Sequence, residues 1–230
     1  MTSHILTRPM VLPTMDRPQS LTDQIHERLR EEILTATWQP GDLVLEADLA
    51  ARYGVSKTPV REALRLLSQE GWIVTLPRKG YLVRPLRMQD VKEVFELRLL
   101  LEPGLFVQAM RVHRGAPETL RAIVEAERRT GCIDDSAHSK GRGFHIAAIT
   151  FAGNERALNH MTSLLDEVRR LHNLMPELET HGPAGQLADD HNRIIELMAA
   201  GSAHELYNLV RSHIQSSAAR LMSAFRFNLD

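Results

Sequence analysis

The fold of this chain is decided by residues Leu49–Leu67, which read LAARYGVSKTPVREALRLL. The first five residues have the composition of a helix, and Gly54 stands where a helix needs a left-handed stop. Ser56 offers a hydroxyl to the free N–H groups of a second helix, and Pro59 is tolerated in the first turn of that helix. The stretch therefore predicts two short helices joined by a tight turn.

The second of these helices has two different faces. Its apolar residues recur at i, i+3, i+4 and i+7 and predict a buried stripe of Val60, Ala63, Leu64 and Leu67. Its polar face consists of Lys57, Thr58, Arg61 and Arg65. A packed helix that presents cations and a hydroxyl from its N-terminal half is what a helix-turn-helix protein inserts into the major groove of DNA. The same pattern also occurs on ordinary solvated helices, so this helix alone leaves both interpretations open.

The flanking sequence favours a winged helix. An upstream stripe at i, i+4 spacing predicts a further helix with Leu21, Ile25, Leu29 and Ile33 on one face. Downstream, two β-rich runs, Trp72–Leu76 and Tyr81–Val83, enclose the turn sequence Pro77-Arg78-Lys79-Gly80. Three helices followed by a hairpin make a winged helix, and Arg78 and Lys79 then lie at the tip of the wing.

Charge supports a DNA-facing surface although the whole chain is nearly neutral. The formal net charge is -1, and the 43% hydrophobic and 25% charged content is ordinary for a soluble globular protein. Between Val55 and Leu86, however, six cations stand against two acids, an excess of four positive charges. The predicted second helix and wing can therefore be positive while the chain as a whole is not.

Composition also limits the location of the protein. No run approaches the roughly 18 apolar residues of a membrane span, and Pro9, Pro13 and Pro18 interrupt the stretch where a signal peptide would lie. We expect residues 1–20 to be a mobile arm. The single cysteine, Cys132, excludes an internal disulfide framework and fits the reducing cytoplasm, where we expect the protein to act.

The second half predicts an all-helical domain over residues 87–230, after a winged helix-turn-helix over 21–86. The expected fold class is therefore mainly α. Pro103 is expected to kink or break the first of its helices, and Asn154 to cap a later one. The helical segments are Met88–Arg111, Pro117–Thr130, Ala137–Phe151, Asn154–Leu174, Ala184–Ala200 and Ser202–Phe225. A domain of this size can enclose an interior cavity.

Three of the 11 histidines lie inside these helices in apolar surroundings: His145, His191 and His213. Three imidazoles that converge in the interior of a bundle would make a good site for a transition metal. Alternatively, each is a separate histidine with its own hydrogen bond, because no His-x3-His pair links them on one helix. The spacing alone leaves both alternatives open.

The first part of the chain resembles the DNA-binding domain of the GntR family of bacterial transcription regulators. The family signature stands here as Val55–Leu64, VSKTPVREAL. The resemblance implies contacts of Lys57, Thr58 and Arg61 with operator bases or phosphates, and an approach of the wing to the minor groove. The predicted DNA-binding set comprises Ser56, Lys57, Thr58, Arg61, Arg65, Arg78, Lys79 and Gly80. Many members carry an arginine where this chain has Ala47, so one contact of the family is missing.

The helical part resembles the FCD domain of the FadR subfamily. The matching landmarks are Arg98-x3-Glu102-Pro103, Phe144-His145, Gly153-Asn154, Asp190-His191-x2-Ile194 and His213. Many FCD domains hold a divalent metal through an Asp-x3-His pair and two later histidines. The resemblance therefore implies a metal on His145, His191 and His213, but Gly141 replaces the aspartate, for which Asp134 or Asp135 could substitute. A ligand set of nitrogen atoms favours zinc or nickel.

The same resemblance implies a small organic acid as effector, bound in a cavity beside the metal. Arg98 is the candidate for a bidentate clamp on its carboxylate, and its alternative role is a salt bridge to Glu102. The unusual segment Lys140–Gly143 could widen the mouth of this cavity or supply another cation.

Together these features predict a cytoplasmic, homodimeric transcription regulator that is not an enzyme. It would bind a two-fold-related double-stranded DNA operator and respond to an organic acid, as a repressor by family habit. Two alternatives remain: a metal-dependent hydrolase built on a helical bundle, and an architectural DNA-binding protein without an effector. An aminotransferase-like domain is excluded because the helical part is too short and lacks a cofactor lysine motif.

Overall fold

The computed structural model describes residues 19–129, 137–175 and 186–227, and within these ranges the chain forms nine helices and one three-stranded sheet. The predicted arm lies almost entirely outside the described residues, as do Cys132, Asp134 and Asp135. Buried apolar side chains form two separate cores, one from residues 25–83 and one from residues 91–224. We refer to residues 19–86 as the N-terminal unit and to residues 87–227 as the helical unit. The mainly α fold class is confirmed.

The N-terminal unit is the expected winged helix. Its elements are α1 (Leu21–Leu34), β1 (Leu43–Val44), α2 (Glu46–Tyr53), α3 (Lys57–Gln69), β2 (Ile73–Leu76) and β3 (Gly80–Val83). The antiparallel sheet has the order β1-β3-β2, with Ile73 opposite Val83 in the wing hairpin. The sequence analysis did not predict β1, because a two-residue strand is too short to show an alternating pattern.

The helices of this unit bury the predicted stripes with one exception. All four apolar residues of the α3 stripe are buried, and Ile25, Leu29 and Ile33 of α1 join them in the core. Leu21 is 47% exposed, so the buried face of α1 begins one turn later than predicted. A capping box between Ser20 and Asp23 occupies that first turn instead.

Two glycines fix the turns around the recognition helix α3. Gly54 ends α2 in the left-handed conformation, with φ 66°, as the sequence predicts. Gly80 has φ 105°, and a Cβ atom there would lie 2.7 Å from the carbonyl oxygen of Val44, so the wing packs against β1 only with glycine at this position. Ser56 precedes α3, but its hydroxyl makes no capping hydrogen bond, so that prediction was wrong. This turn is exposed, and water can satisfy its N–H groups.

The helical unit contains the six predicted helices with small shifts at their ends. They are α4 (Met88–Val112), α5 (Ala116–Arg129), α6 (Ala137–Phe151), α7 (Glu155–Leu174), α8 (Gln186–Ala200) and α9 (Ala203–Phe227). Asn154 caps α7, where its side chain accepts a hydrogen bond from the N–H of Ala157 at 3.0 Å. Helix α4 continues through Pro103, so the expected break does not occur. Pro103 is buried, and its packing offsets the loss of one backbone hydrogen bond.

The two units meet along α1 and α7. The side chain of Asn173 donates to the carbonyl of Leu34 at 2.7 Å, and Arg170 donates to the carbonyl of Arg84 at 3.0 Å. At the start of α4, the carboxylate of Asp90 accepts a hydrogen bond from the N–H of Arg87, the N-cap residue of the helix. It also accepts one from the guanidinium of Arg84 at 2.9 Å. The bond between Arg84 and Asp90 joins the residue that follows β3 to the first helix of the helical unit. No described helix combines the length and apolar character that a membrane span requires.

Candidate functional site

The predicted DNA-facing residues lie on the exposed side of α3 and on the wing turn. Seven of them are exposed and Gly80 is half-buried at the start of β3; the seven are Ser56, Lys57, Thr58, Arg61, Arg65, Arg78 and Lys79. Arg78 adopts a left-handed φ of 64°, and the N–H of Lys79 donates to the carbonyl of Leu76 at 2.9 Å, which closes the wing turn. Nothing within the described part of the chain covers this side of α3.

Arg61 is held by a partner that the sequence analysis missed. Its Nε donates to both carboxylate oxygens of Glu46 at 3.0 and 3.1 Å, and its second guanidinium nitrogen donates at 2.8 Å. These hydrogen bonds are the largest cause of the lowered pKa of Glu46. The hydroxyl of Tyr81 reaches the same carboxylate at 3.4 Å. Glu46 therefore links α2, the recognition helix α3 and the wing.

The positive charge of this surface is smaller than the count along the sequence. Arg65 pairs with Glu62 at 3.1 Å, and Arg84 pairs with Asp90 on the side that faces the helical unit. Within the described ranges, no ion pair involves Lys57, Arg78 or Lys79. No carboxylate of the described chain therefore neutralises these three cations, whereas Arg61 is held by Glu46.

The three predicted metal ligands come together in the helical unit. His145 on α6, His191 on α8 and His213 on α9 are 4%, 5% and 3% exposed. One nitrogen of each ring can be chosen so that all three lie within 4.8 Å of one another. The ring centroids are 5.0–5.3 Å apart. We refer to these three residues as the histidine cluster.

Carboxylates hold two of the three rings. Glu102 on α4 contacts Nδ1 of His145, and Asp190 lies 3.0 Å from Nδ1 of His213. A carboxylate at one ring nitrogen orients the imidazole and leaves the other nitrogen for a metal. The buried Nε2 of His191 has no hydrogen-bond partner among the described residues. An unsatisfied nitrogen in the interior is costly unless something binds it, so the cluster has the donors of a metal site.

Burial and nearby charges affect the ionisation of Glu102 and His191 in the cluster. Burial by itself would raise the pKa of Glu102, but Arg98 and His145 lower it well below its usual range. Nε of Arg98 donates to Glu102 at 2.8 Å, and both side chains are buried. Burial, reinforced by His145 and His213, lowers the pKa of His191 well below its usual value. His191 is therefore neutral at pH 7 and can act as a ligand.

Gly141 lies where the family carboxylate would stand. It precedes His145 by one helical turn, and a Cβ atom on it would lie 3.6 Å from Cε1 of His191. A side chain at this position would therefore point at the histidine cluster. Within the described residues, the group that can hold a metal consists of the three histidines alone.

A small cavity adjoins the cluster. Its volume is about 40 Å³, and one water needs roughly 10–15 Å³. The cavity can therefore hold a few waters or a small ligand. Three arginines line it together with His145 and His213: Arg98, Arg142 and Arg169. Arg98 therefore lines the cavity, as a clamp for a carboxylate would. It also forms the salt bridge to Glu102 that the sequence offered as its alternative role.

Comparisons with known proteins match both units. The family model described as bacterial regulatory proteins, gntR family, matches residues 21–83, and the FCD domain matches residues 93–216. The transcriptional regulator YdhC of Bacillus subtilis is 29% identical over 190 residues, which cover 79% of this chain and 82% of YdhC. The gluconate operon transcriptional repressor of B. subtilis is 36% identical over 84 residues, which cover 36% of this chain and 34% of the repressor.

A solved structure agrees at the level of the fold. Escherichia coli McbR/YncC superposes with a TM-score of 0.75 at 18% identity, covering 90% of this chain and 99% of McbR/YncC. The FCD match alone spans more than half of the chain, and it follows a matching DNA-binding domain. These relatives are regulators, so the hydrolase alternative loses its support. The chain belongs to the GntR family of bacterial transcription regulators, in the FadR subfamily whose DNA-binding domain is joined to an FCD domain.

Proposed function

We propose that this regulator is a repressor whose operator affinity is controlled by a small organic acid bound beside a divalent metal. The observation that carries the proposal is the buried histidine cluster next to a cavity lined by arginines. A metal with open coordination positions binds a carboxylate. A guanidinium group binds a carboxylate through two parallel hydrogen bonds. The cavity therefore suits a small anion better than a neutral ligand.

The donor set supports zinc or nickel. His145, His191 and His213 would be the ligands, with Glu102 and Asp190 holding the first and the last of them. Three neutral imidazoles suit these borderline metals, whereas Mg²⁺ and Ca²⁺ prefer oxygen ligands. Three protein ligands leave at least one coordination position for the effector. When bound, the metal supplies a positive charge that attracts the carboxylate of the effector.

The DNA-binding set supports an operator complex in which α3 enters the major groove. Lys57, Thr58 and Arg61 project from the N-terminal half of α3, the part of a recognition helix that reaches base edges. Arg78, Lys79 and Gly80 form a wing that approaches the neighbouring backbone or minor groove. The similarity to the gluconate operon repressor covers about a third of this chain, and it supports repression as the output.

An apolar stripe on α4 supports a homodimer. Leu97, Leu100 and Leu101 share one face of the helix at i, i+3 and i+4 spacing and are 46%, 75% and 38% exposed. Exposed leucines grouped in this way favour a protein partner. A second copy of the chain fits best, because a two-fold dimer would present two α3 helices to a two-fold operator. We propose that the dimer acts in the cytoplasm.

The metal content of the purified full-length chain tests this proposal. After dialysis against zinc and then against zinc-free buffer, wild type should retain one zinc per chain, and His191→Ala should retain none. At a free zinc concentration of 100 times Kd, the metal adds about 2.7 kcal/mol to the free energy of unfolding, so zinc should raise the melting temperature of wild type but not that of His191→Ala.

The exposed His160 on α7 provides a matched control, because His160→Ala removes an imidazole outside the cluster and should keep the metal. A panel of organic acids should then raise the melting temperature of the zinc-loaded protein and release it from its operator. A wild-type chain that retains no metal would contradict the proposed metal site. Acids that bind without changing operator affinity would contradict the proposed control of repression.

A further inference from the structure

Two of the arginines that line the cavity also contact the acidic groups at the junction between the units. The guanidinium of Arg169 donates to both carboxylate oxygens of Glu31 on α1, at 2.9 and 2.5 Å. Nε of Arg142 donates to Asp166 at 2.5 Å, and Asp166 also accepts from Arg30 of α1 at 2.5 Å. Both arginines therefore lie between the cavity and the first helix of the N-terminal unit.

This junction continues to the end of the recognition helix. Nε of Arg30 lies 3.6 Å from the carboxylate of Glu70, the residue that caps the C-terminus of α3. The guanidinium of Arg30 lies 5.5 Å from the ring centroid of Trp72, and Trp72 donates to Glu70 at 3.1 Å. Arg30 therefore links α1, the helix that also carries Glu31, to the C-terminal end of α3.

The three arginines of the cavity differ in how easily they can turn to a ligand. Arg98 and Glu102 are both buried, so separating them would leave two unpaired charges in the interior. Arg142 can leave Asp166 at lower cost, because Arg30 remains to neutralise that buried carboxylate. Glu31, one of the partners of Arg169, is 53% exposed, and water can solvate it when this pair opens.

We propose that Arg142 and Arg169 bind the anionic group of the effector, and that this binding releases α1 from Arg169. This inference rests on the proposed organic-acid response and names the residues that transmit it. In the empty state Glu31 competes with the anion for Arg169. When the anion is bound, Asp166 and Arg30 still join the units, and the loss of the Glu31 contact lets the N-terminal unit change its orientation. Coupling is reciprocal, so weakening the contact with α1 must strengthen anion binding.

The ion pair between Glu31 and Arg169 can be removed by a substitution at either residue. The two substitutions should change the affinity for the anion in opposite directions. Glu31→Gln removes the competitor, so the zinc-loaded chain should bind succinate about two- to fivefold more tightly, the range that an exposed ion pair is worth. Arg169→Gln removes the proposed ligand-binding group and should weaken succinate binding about tenfold. Glu27→Gln is the matched control, because it removes a carboxylate from the exposed side of α1 and should behave as wild type.

Tryptophan fluorescence reports the response of the N-terminal unit, since both tryptophans of the chain, Trp38 and Trp72, lie there. Succinate should change the emission of wild type and of Glu27→Gln, and should change that of Glu31→Gln less, although binding is tighter. If Glu31→Gln and Arg169→Gln shift succinate affinity in the same direction, the pair is only structural and the inference is overturned. If wild type binds no succinate by calorimetry, the anion site itself is overturned, which is a separate result.

Discussion

Each unit of the molecule contains an arginine–glutamate pair, and the two pairs have opposite surroundings. Arg61 and Glu46 lie on the predicted DNA-binding surface, where their side chains are 59% and 23% exposed. Arg98 and Glu102 lie beside the histidine cluster and are 3% and 0% exposed. Both guanidinium groups donate two or more hydrogen bonds to their partner. Geometry alone therefore does not distinguish the pairs.

Exposure determines what each pair can do. Water solvates Arg61 and Glu46 when they separate, so Arg61 can exchange a carboxylate for a DNA phosphate or base at small cost. Separation of Arg98 from Glu102 would leave charges without solvent, so that pair is a fixed support for His145. The N-terminal unit thus keeps the charge of Arg61 exchangeable, whereas the helical unit keeps the charges beside the histidine cluster fixed.

The largest difference between the two pairs is expected when the glutamate of each is neutralised. Glu102→Gln should lower the free energy of unfolding by about 3–5 kcal/mol, because Arg98 loses its charged partner in the interior. Glu46→Gln should lower it by at most about 1 kcal/mol, because Arg61 remains hydrated. Urea unfolding followed by circular dichroism measures both values. Equal losses in the two variants would remove the distinction between a fixed and an exchangeable pair.

The second prediction concerns the function of the exposed pair. Arg61→Ala should weaken binding to an operator fragment by about 1–3 kcal/mol, the usual value of a base contact. The stability of the fold should change little, because water solvates both members of the pair when they separate. Gel-shift titration at a fixed salt concentration measures the affinity, and Lys92→Ala is the control, since it removes an exposed cation from α4. Unchanged affinity would show that Arg61 stays with Glu46 when DNA is bound.

The third prediction asks whether the histidine cluster of the helical unit can accept one more negative charge. Gly141→Asp should place a carboxylate at the histidine cluster and tighten zinc binding about tenfold or more, because opposite charges a few ångströms apart in a protein are worth several kcal/mol. The variant should also bind manganese more tightly than wild type does, since oxygen donors suit harder cations. Calorimetric titration of the metal-free protein measures both affinities.

Gly141→Ala separates this effect from that of helix propensity. Its methyl group would make an ordinary contact with His191 at 3.6 Å, and alanine favours a helix over glycine by about 1 kcal/mol. This variant should be slightly more stable than wild type and should bind zinc equally well. Equal zinc affinity in all three proteins would mean that position 141 does not reach the metal.

The N-terminal unit could be predicted almost completely from the sequence. Its signals are local: the spacing of apolar residues, Gly54 at the end of α2, and turn residues between two β-rich runs. The features that were missed depend on distant partners. Glu46 meets Arg61 from 15 residues away, and β1 exists because it pairs with β3. A motif predicts which residues face DNA, but it does not predict which of them already have a partner within the protein.

The helical unit was less predictable for the same reason. Helix ends follow from local patterns, and Asn154 was identified as a cap in this way. The meeting of His145, His191 and His213 depends on how three helices pack, which periodicity does not determine, so the resemblance to a family had to supply it. The contact of Arg30 with Asp166 spans 136 residues, and no local signal could predict it. Such contacts between units are where control of DNA binding must be sought.

Helix α4 also restricts how the sequence of this protein can change during evolution. Asp90, near its start, bonds Arg84 directly after the wing, and Glu102, twelve residues later, contacts His145 of the histidine cluster. An unbroken helix fixes the distance between them at about 18 Å and fixes their relative rotation. One inserted residue would turn Glu102 away from His145 by about 100°. A codon gained or lost between these positions would therefore disconnect the wing from the histidine cluster.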